Sequence, residues 1–445
     1  MDKNLLALSP VEFITFLREE KISRFYFAFD DLNSTIISSH SQLTEIAEFL
    51  KNDNRDFNTH EGIFIQVSRH FNVLHCAFIH RTNRGQAAGG VRFWNYDKVE
   101  DFLRDGLRLA MGMTYKNALA GLWWGGGKGV MTEDESIDKN DSEIRKILYS
   151  EYGELMTSLN GCYVTAEDVG TKVSDMANVF SKTRFTTCIP AELGGSGNPS
   201  IPTARGVVSG MEAGLHFLDK TDLNNKIIVV QGLGNVARPM IKFLLEKNVK
   251  HIYAGDIFEQ KVEEAYSEIN NERVTFKLLQ EDDRSLYLTE CDIFSPCAVG
   301  ATLNSRTIPT LNCKIVCGAA NNQLEDPIED DKRLFEKGIL YVPDFLTNRM
   351  GIVNCADEQA GYIKNDPLIE RHLDQKWEFS IYRTALNVFK TAGEKNETTG
   401  RTALKIAEEM SIRNNPIYGH RGKTIIKSLI ANEWQNKNFD NYSLK

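Results

Sequence analysis

The sequence predicts an α/β protein of two domains: an N-terminal α/β domain, then a Rossmann-type doubly wound domain, with a helical C-terminal return. Three observations carry this. The chain has 445 residues, too many for one ordinary core of roughly 100–200 residues. After residue 226, apolar β-branched runs alternate with helical stretches, the pattern of a parallel sheet covered on both faces. A glycine turn, GLGNVA at 232–237, joins one such run to a helix. The boundaries read from the sequence are 1–190 for the first domain and 191–389 for the second, with helices in 390–445 returning to the first.

The elements follow in order. SPVEFITFLREE is a helical stretch with Ser9 as N-cap and Pro10 in the first turn. No pattern places the rest of residues 1–60. Residues 61–80, EGIFIQVSRHFNVLHCAFIH, read as two strands around a turn. Residues 97–120 read as a long amphipathic helix, with Leu103, Leu107, Ala110, Met111 and Thr114 at helical spacing. Gly125, Gly126 and Gly127 are expected to stop it. Lys226–Gln231 is a strand, Arg238–Asn248 a helix and HIYAGD at 251–256 a second strand. Further strands are expected at CDIFSPCA, KIVCGAA and LYVPDF, and the last stretch of chain is helical with a charged surface.

Composition narrows the function classes. Apolar residues make up 42% and charged residues 25%, ordinary for a globular protein in water. The formal charge of -9 and a pI near 5.6 disfavour a nucleic-acid surface or an anionic membrane as partner. No run approaches the roughly 20 apolar residues of a membrane span. MDKNLLALSPVEF lacks a signal-peptide core, so a cytoplasmic location is expected. The eight cysteines form no CxxC pair and are expected to be reduced, with Cys313 and Cys317 in a buried strand. His70, His75 and His80, at five-residue spacing across two strands, do not converge on one ion, and no metal site is expected.

GLGNVA has the context that a dinucleotide loop needs: a strand before it and a helix after it. Gly232 makes the tight turn and Gly234 lets backbone approach a pyrophosphate. Asn235 and Val236 open the helix whose N-terminus attracts phosphate, and Ala237 permits close packing. Asp256 ends the second strand, 24 residues after Gly232, where a carboxylate accepts ribose hydroxyls. It would repel a 2′-phosphate, so NAD is expected rather than NADP.

The second constellation is GGVRFW (89–94), MTYKNALAGLWWGGGKG (113–129) and VTAEDVGT (164–171). Two lysines, Lys116 and Lys128, stand twelve residues apart with a glycine run before the second. A cation can hold an α-carboxylate. A lysine enclosed in a cleft can have its pKa lowered by desolvation and nearby charge, and so act as a base. Alone, the lysines read better as a solvated surface pair.

At these residues the sequence resembles the glutamate/leucine/phenylalanine/valine dehydrogenase superfamily, and most its leucine and phenylalanine branch. The resemblance spans residues 60–410 in order, through SGNPSIPTARGV, QGLGNVA, CDIFSPCAVGATLN, GAANNQL and PDFLTN as well. It implies oxidative deamination of an amino acid in a cleft between two domains, with the first domain making subunit contacts in a homo-oligomer, at least a dimer. It implies that Lys116 binds the substrate α-carboxylate, that Lys128 activates water and that Asp168 exchanges a proton with the substrate nitrogen. Gly89 and Gly90 would lie against the substrate, Thr203 near the nicotinamide amide, and Asn321 at the nicotinamide ribose and substrate.

The resemblance also bears on side-chain choice. Glutamate-specific relatives carry a lysine just before the Gly-Gly pair and a serine seven residues after the asparagine of PDFLTN. Here those positions are Ala88 and Cys355. An unpaired buried carboxylate costs several kcal/mol, so glutamate is expected to be rejected. Ala88, Met113, Ile352 and Cys355 would line an apolar pocket. One departure stands out: relatives have Asn-Ala/Ser-Gly-Gly where this chain has Asn348-Arg349-Met350-Gly351. Arg349 either braces the loop or binds a polar or acidic substrate side chain. Trp123 and Trp124 are expected in interdomain packing. A catalytically silent NAD-binding regulatory protein is a third reading, opposed by the joint presence of Lys116, Lys128, Asp168 and Asn321.

Overall fold

The computed structural model describes residues 4–437. Helix α1 (Pro10–Glu19) begins as read: Ser9 caps it, and Glu12 returns a bond to the Ser9 backbone. The unplaced N-terminal region adds β1 (Arg24–Asp30), β2 (Thr35–Ser38) and α2 (Thr44–Asn52). They join β3 (Gly62–Val67), β4 (Leu74–Arg81), β5 (Ala87–Ala88), β6 (Val91–Trp94), β7 (Gly125–Thr132) and β8 (Tyr163–Val164) in one eight-stranded sheet. Its order is β2-β1-β3-β4-β7-β5-β8, with β6 also paired to β7. The pairs from β2 to β7 are antiparallel; those of β7 with β5 and β6 are parallel. Helices α3 (Val99–Leu119), α4 (Ser142–Ser158) and α5 (Val173–Phe180) complete this part.

One expectation is corrected here. Gly125–Gly127 do not stop α3; they begin β7 in the middle of the sheet. The helix ends earlier, in a Schellman motif: Gly121 takes φ +70, Leu122 N–H donates to Asn117 O, and Gly121 N–H donates to Ala118 O. The glycines serve close packing instead. A Cβ on Gly126 would sit 2.1 Å from Thr114 N, and one on Gly129 would sit 2.1 Å from the Tyr152 hydroxyl. The central strand is therefore gripped by α3 and α4 closely enough to leave no room for side chains at these glycines.

The second sheet is six-stranded and wholly parallel. Helix α6 (Ser200–Asp219) leads in. Then come β9 (Ile227–Gln231), α7 (Ala237–Glu246), β10 (His251–Asp256), α8 (Glu259–Glu268), β11 (Val274–Leu278), α9 (Ser285–Leu288), β12 (Cys291–Pro296), β13 (Cys313–Val316), α10 (Glu329–Glu336) and β14 (Leu340–Tyr341). The order β11-β10-β9-β12-β13-β14 is the doubly wound arrangement, whose ligand crevice opens where the order reverses, between β9 and β12. Helices α11 (Asp344–Thr347), α12 (Met350–Gly361) and α13 (Pro367–Glu370) follow.

Helix α14 (Ile381–Lys395) packs on α6, and α15 (Thr399–Ser411) crosses back to α3. After α16 (Arg421–Ala431), Trp434 is buried in the first sheet's core, edge-on to Phe64 and donating to Ser158 Oγ at 3.0 Å. The helical return thus reaches the N-terminal sheet; residues 438–445 of that expectation lie outside the described residues. Among the described residues no helix is long and apolar enough to cross a membrane. The eight cysteines are free. Cys313 opens β13 partly exposed, and buried Cys317 lies just past its end. His75 is buried against Tyr152, while His80 bonds Thr114 Oγ1 and Asn58 O.

Candidate active site

The site is built where β5 breaks into β6. Both strands run parallel to β7, and the break between them is Gly89-Gly90. A Cβ on Gly89 would lie 2.0 Å from Gly127 O, and one on Gly90 would lie 2.6 Å from Glu167 O. Only bare backbone fits. Tyr163 fixes it by donating from its hydroxyl to Gly89 O at 2.7 Å.

Lys128 projects from β7 beside this break, 4% exposed. Its Nζ lies 2.9 Å from Asp168 Oδ2. Arg92 flanks the same carboxylate at 3.5 Å and is itself held by Asp105 at 2.8 Å. Burial would push the Asp168 carboxyl up, but Lys128 and Arg92 outweigh it and hold its pKa below the ordinary value. Its neighbour Glu167 has no such cations. Burial, with Asp168 and Asp175 near, pushes Glu167 up to about 7.

Lys116, on the last turns of α3, reaches across the cleft. Its Nζ donates to Asn321 Oδ1 at 3.3 Å, and Asn348 Nδ2 donates to the same oxygen at 2.8 Å. Lys116 is partly exposed. The protein packed around it pushes its pKa down to about 8; Asp344 pulls it up and Lys128 adds to the fall. Asp344 is buried, accepts backbone N–H groups of Asn322 and Phe345, and supports the loop carrying Asn321. Lys116 on the first sheet's side and Asn321 beyond β13 thus meet beside Lys128 and Asp168.

Beside these charges is an apolar wall. Ala88, Ile352 and Cys355 belong to one buried cluster, with Met113 and Trp124 packed against it. Its first residue comes from the N-terminal sheet and the next two from α12, so the cluster joins the two parts of the chain. Trp124 joins that packing; Trp123 does not, being half exposed with the Arg84 guanidinium 4.3 Å over its ring. Glu358 latches α12 to the crossover between the sheets, accepting from Cys188 N, Ile189 N and Ser196 Oγ. Arg349 is not in the pocket. It is fully buried and donates to the carbonyls of Leu119 and Phe379 and to Thr384 Oγ1. The reading in which it binds a polar substrate side chain is thereby removed.

The dinucleotide loop lies at the second sheet's switch point. Gly232 has φ +100, and a Cβ there would meet Ala298 N at 2.7 Å. Gly234 faces open space with nothing within 4 Å, so its backbone is free for a ligand to approach. Asn235 is exposed and Val236 precedes α7. Asp256 Oδ2 accepts from Leu233 N at 2.8 Å, so the ribose-side carboxylate also ties down the loop. Thr203 lies in the first turn of α6, its Oγ1 donating to Pro199 O. Open backbone at a helix N-terminus beside a carboxylate fits a nicotinamide dinucleotide.

Sequence reasoning did not single out Arg92, Asp344, Asn348, Glu358 or Glu167. Arg92 and Glu167 stand inside quoted motifs; Asp344 and Asn348 stand inside PDFLTN.

Comparison with known proteins agrees with this geometry. The profile for the Glu/Leu/Phe/Val dehydrogenase dimerisation domain matches residues 50–185, and that for Glutamate/Leucine/Phenylalanine/Valine dehydrogenase matches 194–415. The chain is 42% identical over 332 residues to a leucine dehydrogenase of Geobacillus stearothermophilus, covering 74% of this chain and 85% of that one. It is 35% identical over 370 residues to a phenylalanine dehydrogenase of Lysinibacillus sphaericus, covering 80% and 93%. Among solved structures, the L-tryptophan dehydrogenase of Nostoc punctiforme superposes with a TM-score of 0.64 at 33% identity, over 79% of this chain and 96% of that one. With both profiles matched in order and the charged cleft set between the two sheets, the chain belongs to the glutamate/leucine/phenylalanine/valine dehydrogenase family and is an amino-acid dehydrogenase.

Proposed function

We propose that the protein catalyses NAD-dependent oxidative deamination of an apolar L-amino acid to its 2-oxo acid and ammonia. The observation that carries this is that Gly89 and Gly90 abut both Met113, which packs on the cluster of Ala88, Ile352 and Cys355, and Asp168, which pairs with Lys128. The leucine, phenylalanine and tryptophan dehydrogenases it resembles support the apolar class.

In this reading Lys116 holds the α-carboxylate and the Gly89-Gly90 backbone lies along the substrate. NAD, when bound, would supply the acceptor for the hydride of Cα. Asp168, kept ionised by Lys128 and Arg92, takes a proton from the substrate nitrogen, which leaves as ammonia once water has added to the imine. Lys128 gives up its ammonium proton before water adds and then takes the proton of that water, while Asp168 returns its proton to the departing nitrogen. Amino acid, NAD and water thus give 2-oxo acid, ammonium, reduced NAD and a proton. Gly232, Gly234, Asn235 and Val236 would cradle the pyrophosphate, with Thr203 and Asn321 toward the nicotinamide. Asp256 would take the ribose hydroxyls and disfavour a 2′-phosphate. Lys261, 3.7 Å from Asp256, is already engaged with that carboxylate.

Residues 1–190, with the helices of 390–445, form the substrate and subunit-contact domain in this account, and 191–389 the cofactor domain. The matched dimerisation profile supports a homo-oligomer of at least two chains. Eight free thiols suit a reducing compartment, the cytoplasm.

The test is nicotinamide absorbance with purified protein, NAD and each common L-amino acid in turn at mildly alkaline pH, with the reverse reaction from 2-oxo acids and ammonium. Turnover of leucine, valine or phenylalanine with rejection of glutamate is expected. Turnover confined to acidic or polar amino acids, or silence despite NAD binding, would overturn the reading.

A further inference from the structure

Arg349 is a fully buried cation, and among the described residues no carboxylate pairs with it. Even with its pKa pushed down to about 9 by burial, it stays charged at neutral pH. An isolated buried charge is unfavourable unless its protons are bonded. Its Nη protons go to two separate segments, and its Nε proton has no hydrogen-bond partner among the described residues. Nη1 donates to Leu119 O at 2.6 Å, and Nη2 donates to Phe379 O and to Thr384 Oγ1 at 3.3 Å.

These partners matter by position. Leu119 is the last residue of α3, where unbonded carbonyls and the helix dipole concentrate negative charge. Phe379 immediately precedes Ser380, the N-cap of α14, and Thr384 lies in the first turn of that helix. The same junction is closed sterically. Gly121, just past α3, lies so near the Phe379 ring that a Cβ would sit 2.7 Å from its Cγ. One guanidinium therefore ties the end of α3 to the starts of α12 and α14.

Both walls of the amino-acid pocket hang from this tie. Lys116 and Met113 stand on α3, within two turns of Leu119. Ile352 and Cys355 stand on α12, within two turns of Arg349, and Asn348 beside it holds Asn321. We infer that Arg349 is a positioning residue that fixes the spacing between α3 and α12, and so determines which apolar side chains the pocket accepts. This rests on the function proposed above.

The experiment compares wild type with Arg349→Met, which keeps bulk and removes the donors, Arg349→Lys, and Thr384→Val, which removes one acceptor only. For each, kcat and KM are measured for alanine, valine, leucine and phenylalanine, with the NAD dissociation constant and the folded fraction from thermal unfolding. In Arg349→Met, kcat/KM for the best wild-type substrate should fall by about tenfold or more, mainly through KM. The order of preference should shift, with NAD binding unchanged. Arg349→Lys should recover part of that loss, and Thr384→Val should shift the same preference less. Equal losses for every amino acid, or losses that follow only the folded fraction, would overturn the inference. If Arg349→Met does not fold, an unchanged preference in both other variants would overturn it. A wild type silent on all amino acids would overturn the proposed function and this inference together; an active wild type with variants of unchanged preference would overturn this inference alone.

Discussion

Proton traffic in the cleft is set by where each charge finds its partner. Lys128 has Asp168 at 2.9 Å, and Asp168 also has Arg92, so this carboxylate stays ionised and ready to accept. Lys128→Ala should lower kcat by about 10²–10⁴-fold while leaving the NAD dissociation constant unchanged; loss of NAD binding in parallel would assign Lys128 a structural role. Lys116 carries a testable pH dependence. Its folded pKa of about 8 lies below the ordinary ammonium value, so its charge is present below that pH and is lost as pH rises through it. Inhibition by an aliphatic carboxylate without an amino group should therefore weaken as pH climbs through about 8. In Lys116→Arg that weakening should move to higher pH. Both lysines were legible in the sequence because a cation for a carboxylate and a glycine-flanked base are what amino-acid chemistry calls for. Arg92 was not: an arginine between glycines and a phenylalanine carries no local sign that it will face Asp168. Nor could the direction of Arg349 be read, since its acceptors are two main-chain carbonyls and a hydroxyl remote in sequence.

Glycine does three different jobs in the elements around the cleft. At Gly232 positive φ and the nearby Ala298 backbone exclude a side chain; at Gly234 neither constraint applies. Gly232→Ala should destabilise the protein. Gly234→Ala should leave thermal unfolding unchanged yet weaken NAD binding in a direct titration, because the added methyl occupies the approach to the phosphates. Equal stability losses in the two would contradict that contrast. In β7 the glycines admit neighbouring elements. Gly126→Ala drives a methyl into the α3 backbone and should cost roughly 1–3 kcal/mol in denaturant unfolding. This is why β7 was misread. Glycine has poor strand propensity and strong breaker character, and only the approach of Thr114 and Tyr152 explains its use there. By contrast, α1, β9, β10 and β12 followed their patterns closely, since cap chemistry and apolar runs are local signals. β1 escaped notice for the opposite reason: RFYFAFD is almost wholly buried and shows no alternation.

Across the whole molecule, two sheets face one cleft and the C-terminal helices bind the two halves together. Trp434 is the far anchor of that return, edge-on to Phe64 and beneath the Arg24 guanidinium at 5.4 Å. Trp434→Ala should cost about 3–5 kcal/mol in denaturant unfolding, with a smaller effect on kcat than Lys128→Ala. The two-domain plan was legible because strand and helix alternate in sequence. The docking of α15 on α3, and of Trp434 on the first core, was not, because nothing local records which distant surface a helix will cover. The proposed reaction is hydride transfer from an amino-acid Cα to NAD in this cleft, coupled to loss of the amino group. The direct measurement supplies the best amino acid, deuterated at Cα, and follows deuterium in the reduced cofactor alongside ammonia. One deuterium should appear in the nicotinamide ring for each ammonia released; ammonia without reduced cofactor, or reduced cofactor without deuterium, would rule out this coupled transfer.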